Sequence, residues 1–167
     1  MLRLHKVNKQ LLILLLIFSI NACSHKNKSN MSTSQSFAFR LKPGADLKKS
    51  IQALVNEHKI KAGWIATCVG SLTNYSIRFA NQEQPTNGVG HFEIVSLAGT
   101  LSENGSHLHV SLSDSTGKTI GGHLMEGNIV YTTAEIVIQY SDSMIFKREN
   151  DGSTPWKELQ IENTNQP

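Results

Sequence analysis

Apolar positions along this chain keep two different periods. Leu47, Ile51, Leu54 and Val55 recur at helical spacing, while Lys48, Lys49, Gln52 and Glu57 occupy much of the remaining surface. Asp46, following Pro43-Gly44, is the expected N-cap, so one amphipathic helix is predicted from there. Nearly everything else reads as strand. Ser36 to Leu41, Ala62 to Val69, Thr73 to Ala80, His91 to Leu101, His107 to Ser113, Lys118 to Met125, Ile129 to Tyr140 and Met144 to Lys147 are rich in β-branched or aromatic residues. Gly, Asn, Ser or Asp separate them. The predicted fold is α+β, a curved antiparallel sheet or half-barrel packed on one main helix.

The longest predicted strand adds a requirement. From Ile129 to Tyr140 one face carries Val130, Thr132, Ala134, Ile136, Ile138 and Tyr140, and the other still presents Ile129, Tyr131 and Val137. A strand that is apolar on both faces needs cover on both, and one helix covers little. Self-association is the expected remedy.

Candidate chemistry concentrates between Ser106 and Leu124. His107 and His109 are two residues apart, so in a strand both rings leave the same face. A loop of Ser115, Thr116 and Gly117 after Asp114 would set His123 opposite His109, whereas a one-residue slip would turn it away. Three neutral imidazoles suit zinc or another first-row divalent ion. A small anionic ligand would suit the same cluster, and the alternatives, in descending order, are hydrogen-bonded structural histidines and acid/base work. Glu93 alternates with Val95 and Leu97 on an apolar face, and Glu135 lies between Thr133 and Val137. Both are candidates for an additional ligand or acid/base group. His91 reads as surface. No phosphate loop, nucleophile elbow or dinucleotide fingerprint is present.

The start of the chain bears on compartment. Arg3, Lys6 and Lys9 precede the apolar run from Leu11 to Ile20, then Asn21-Ala22-Cys23, the layout of a signal peptide over residues 1–22. Ten apolar residues fall short of the roughly 20 that span a bilayer as a helix. Ile20-Asn21-Ala22-Cys23 resembles the lipobox of bacterial lipoproteins, which makes Cys23 the lipidation site. Residues 23–36 then read as the lipidated cysteine and a flexible linker, 37–162 as one domain and 163–167 as a disordered tail. The expected location is the cell envelope, on the periplasmic or outer-membrane side, with a lipid anchor in the membrane. Cys68, in an apolar strand without a second cysteine in that domain, reads as a buried inert thiol.

Charge then changes meaning. The chain has 16 basic and 13 acidic residues, but the leader holds three of the basic ones and no acid, which leaves 13 of each. Duplex binding needs clustered Lys and Arg to displace counterions, and none is visible, so nucleic acid is not an expected partner.

Six stretches carry a resemblance. Arg40 to Leu47 (RLKPGADL), Val69 to Leu72 (VGSL), Phe92 to Leu101 (FEIVSLAGTL), His107 to Asp114 (HLHVSLSD), Gly121 to Leu124 (GGHL) and Thr133 to Glu135 (TAE) resemble, in order, the PPC or PCC domain of plants and prokaryotes. The resemblance implies an α+β fold, a homotrimer and a family label of DNA binding. It also marks His107, His109 and His123 as candidate metal ligands. In plant relatives the DNA contact comes from an Arg-Gly-Arg-Pro segment outside this domain, and this chain has no such segment. Three readings follow. The first is an exported, lipid-anchored domain binding a divalent metal or small anion, with no assigned reaction. The others are a cytoplasmic DNA-binding protein and a hydrolase-like metal enzyme using Glu93 or Glu135 as base.

Overall fold

The structure is a computed structural model and describes residues 34–164. The expected signal peptide and lipidation site Cys23, with most of the expected linker, lie outside the described residues. Eight strands and one helix follow in the order β1 (Gln35–Leu41), α1 (Leu47–Glu57), β2 (Gly63–Arg78), β3 (Thr86–Leu101), β4 (His107–Ser113), β5 (Thr119–Leu124), β6 (Ile129–Tyr140), β7 (Met144–Glu149) and β8 (Glu158–Asn163).

The predicted stripe is what α1 buries. Leu47, Ile51 and Val55 are fully buried, each worth about 1.5–3 kcal/mol relative to exposure, and Leu54 sits at the margin of the stripe. Asp46 caps the helix, its Oδ1 accepting from Lys49 N–H at 3.0 Å. Its Oδ2 accepts from Gly127 N–H at 2.7 Å, which ties the start of the helix to the turn before β6. Lys59, at φ 53°, ends the helix by leaving the right-handed region.

The sheet is antiparallel, in the order β1-β6-β2-β3-β4-β5, and β5 also pairs with the end of β2. That extra pairing closes a hydrogen-bonded circuit of β2, β3, β4 and β5. It needs one strand long enough to serve two groups of neighbours. β2 does this because the Gly70 to Leu72 stretch, which separates the two strands predicted there, continues a single strand. Gly70, at φ 148°, lies so close to β6 that a Cβ there would be 2.1 Å from the Thr133 carbonyl oxygen. The glycine marks a close approach, not a break.

Leu72, Ile77, Leu101, Leu108, Leu112, Leu124, Ile136 and Ile138 fill the core between the sheet and α1. The turn after β5 is locked by Asn128, which is wholly buried and satisfied: its Nδ2 donates to Ser76 O (2.9 Å) and Met125 O (2.7 Å), and its Oδ1 accepts from Ser76 N–H. β7 and β8 form a separate two-stranded sheet. The sequence pattern showed only the first of them, because Glu158–Asn163 (ELQIEN) offers just two apolar residues, Leu159 and Ile161, too short an alternation to stand out as a strand. The hairpin is held to the main sheet by Phe146 N–H to Lys61 O at 2.9 Å and by Arg148 N–H to Asn104 Oδ1 at 2.7 Å. Among the described residues no helix is long and apolar enough to cross a membrane.

Candidate metal centre

The β4–β5 turn sets the site. Asp114 Oδ1 accepts from Thr116 N–H (2.9 Å), Thr116 Oγ1 (2.6 Å) and Lys118 N–H (3.1 Å), and Gly117 takes φ 84°. These bonds, led by the Thr116 hydroxyl, hold the Asp114 carboxyl below its ordinary pKa. The three-residue loop pairs Ser113 with Thr119 and His109 with His123, the register that brings the third ring to the other two. On its other edge β5 pairs His123 with Arg78 of β2.

One ring nitrogen from each of His107, His109 and His123 lies within 4.8 Å of the others. His107 Nε2 and His109 Nε2 are 3.2 Å apart, and the ring centroids stand 5.0 to 5.6 Å from one another. Two imidazole ligands of a tetrahedral zinc ion, each about 2.0–2.1 Å from it, sit about 3.4 Å apart, so the first pair is at ligand spacing. Burial, with Lys48, His107 and Arg78 adding positive charge, pulls His123 down to about 4. Burial and Arg148 lower His107 as well. Both rings are therefore neutral at physiological pH and keep a lone pair for a cation. His123 Nδ1 is buried without a hydrogen-bond partner among the described residues.

The two carboxylates stand elsewhere. Glu93 was expected on an apolar face with Val95 and Leu97, but a bulge between Ile94 and Ser96 inserts a residue into β3. Ile94 and Leu97 turn inward as a result, leaving Glu93 and Val95 exposed. Glu135 is likewise exposed on β6, opposite Val69 and Arg40. Neither joins the three histidines. His91 is exposed, as expected, and its ring rests 4.3 Å from that of Tyr131. Cys68 is buried, and burial pushes its thiol up to about 12, which keeps it unreactive at neutral pH.

Other residues at the site had no signal in the linear pattern. Arg148 and Glu158 come from β7 and β8, and Thr100 from β3. Only the pairing of two strands with weak alternation carries them to the histidines. Trp156 covers Arg78, with the guanidinium 4.7 Å from the ring centroid.

The family profile of the Plants and Prokaryotes Conserved (PCC) domain matches residues 28–142. A hypothetical protein from Salmonella enterica has the same fold, with a TM-score of 0.78 and 41% identity, over 81% of this chain and 98% of that one. A metal-containing protein from Archaeoglobus fulgidus aligns with a TM-score of 0.66 and 26% identity, over 75% of this chain and 93% of the other. The bifunctional protein GlmU of Synechococcus is 39% identical over 126 residues, 75% of this chain. The matched region is only 20% of the length of the GlmU relatives. More distant solved relatives whose names raise DNA binding, at 21% and 16% identity, bear on the fold alone.

Proposed function

Because this chain belongs to the Plants and Prokaryotes Conserved domain family, and because its strands bring three imidazoles to one point, we propose that it is an exported, lipid-anchored domain that binds a divalent metal ion. His107, His109 and His123 supply the protein ligands. The observation that carries this reading is the grouping of three ring nitrogens within 4.8 Å. The buried, unpartnered His123 Nδ1 adds to it, since an orphaned polar atom costs about 1–3 kcal/mol unless something meets it. An all-imidazole donor set suits zinc or another first-row divalent ion, which would supply an open position for a small anion. The metal-containing relative from Archaeoglobus fulgidus supports the same reading. No reaction is assigned, because the expected bases, Glu93 and Glu135, are not grouped with the histidines.

Elemental analysis of the purified protein tests the ion. We expect about one equivalent of zinc or a similar metal per chain, and its loss when His107, His109 and His123 are all replaced by Ala. Equal metal content in that triple variant would remove the proposed site.

The anchor rests on the leader and Cys23. Labelling with a fatty-acid probe should mark the wild type and spare Cys23→Ala; an unlabelled wild type would overturn the envelope location. Against the family's DNA-binding label stands the balanced charge of residues 23–167, 13 basic and 13 acidic, with no cluster of Lys and Arg.

A further inference from the structure

Between β3, β4 and the β7–β8 hairpin lies an open cavity of about 440 Å³, lined among others by His107, His109, Ala98, Arg148, Glu158 and Leu159. Its volume is within the range of small-molecule sites, about 300–1,000 Å³. Arg148 is half-buried, and its Nη2 donates to Thr100 Oγ1 at 2.7 Å. Among the described residues it forms no ion pair, although Glu158 lines the same cavity. A guanidinium carries five N–H donors in a planar fork matched to an oxyanion. The nearby Arg78 is committed differently, stacked under Trp156 with its Nη1 donating to Gln82 O at 3.3 Å. Among the residues that line this cavity, Arg148 is thus the cation with donors to give.

We propose that this cavity binds a small monocarboxylate, with Arg148 gripping the carboxylate beside His107 and His109. This rests on the metal reading above, since the bound ion would face the same anion. A singly charged group fits better than a phosphate dianion, because the Glu158 carboxylate raises the cost of a second negative charge in a half-buried site. Ala98 and Leu159 give the wall an apolar part suited to a short carbon chain. Arg148 is therefore the residue that selects the ligand.

The test uses the full chain loaded with cobalt(II), titrated with lactate and, separately, with inorganic phosphate, and followed by the visible absorption of the metal. Lactate should shift the spectrum saturably and bind more tightly than phosphate. Arg148→Gln should weaken lactate at least tenfold with cobalt content unchanged. Arg148→Lys, which keeps the charge without the fork, should show an intermediate loss and guards against a folding defect. Phosphate binding more tightly than lactate, no lactate response in loaded protein, or wild-type affinity in both variants would overturn the proposal. A chain that takes up no cobalt would overturn the metal reading alone. Lactate calorimetry on that unloaded protein then decides the remainder, with Arg148-dependent binding upholding the carboxylate site and no binding ending it.

Discussion

Gly99 and Gly117 both take positive φ, 143° and 84°, yet their surroundings are opposite. A Cβ at Gly117 meets nothing within 4 Å, so Gly117→Ala carries only the backbone penalty, about 1–2 kcal/mol. A Cβ at Gly99 would lie 1.9 Å from the carbonyl oxygen of His107 and 2.9 Å from Leu108 Cα, which leaves β4 no room at its present distance from β3. Because the obstacle is backbone, relief requires moving the strand that carries two of the three histidines. Gly99→Ala should therefore cost about 3 kcal/mol or more in urea unfolding and weaken zinc in a chelator competition. Gly117→Ala should leave zinc affinity unchanged. Equal zinc affinity in the two variants would mean that the β3–β4 spacing does not set the site.

At the scale of elements, what could be read from the sequence was whatever local chemistry fixes. The α1 stripe and its Asp46 cap were legible because three buried side chains and one carboxylate decide them. The β4–β5 hairpin was legible because Asp114 and Gly117 dictate the loop, and the loop dictates that His109 faces His123. Glu93 was misplaced because alternation assumes an unbroken pleat, and the bulge between Ile94 and Ser96 reverses the faces beyond it. The continuity of β2 was hidden for a related reason, since a glycine at a strand–strand approach has the same spelling as one in a turn. Arg148 and Glu158 were illegible because the alternation of β8 is short, with only Leu159 and Ile161 apolar. Its place depends on pairing with β7, which Arg148 in turn ties to Thr100 of β3, far away in sequence. Half of the site could thus be anticipated from a hairpin, and the half that selects a ligand could not.

For the whole molecule, the question is what covers the second face of the sheet. Val69 (56% exposed), Val95 (58%) and Tyr131 (42%) stand out on β2, β3 and β6, while α1 packs on the core side. Val137, expected on the same face of β6 as Tyr131, is half-buried, so the apolar character of this face extends along the strand. Exposed aliphatic and aromatic side chains clustered on neighbouring strands mark a surface built for contact. We infer that copies of the chain meet there in a closed assembly, which satisfies every protomer alike, and that it is the homotrimer the family resemblance implies. Burying the face also buries Glu93 and Glu135. Glu135 has Arg40 opposite it on β1, whereas Glu93 faces only Ser71 and Ser113, so Glu93 must find its partner on another protomer or solvent at the rim. Light scattering on the lipid-free form should give about three chain masses at micromolar concentration. Val95→Lys combined with Tyr131→Lys should give one chain mass with an unchanged far-ultraviolet circular dichroism spectrum, because both residues are outside the core. A wild-type monomer at that concentration would leave this face without its proposed cover, whereas a trimer that survives both substitutions would place the contact on a different surface.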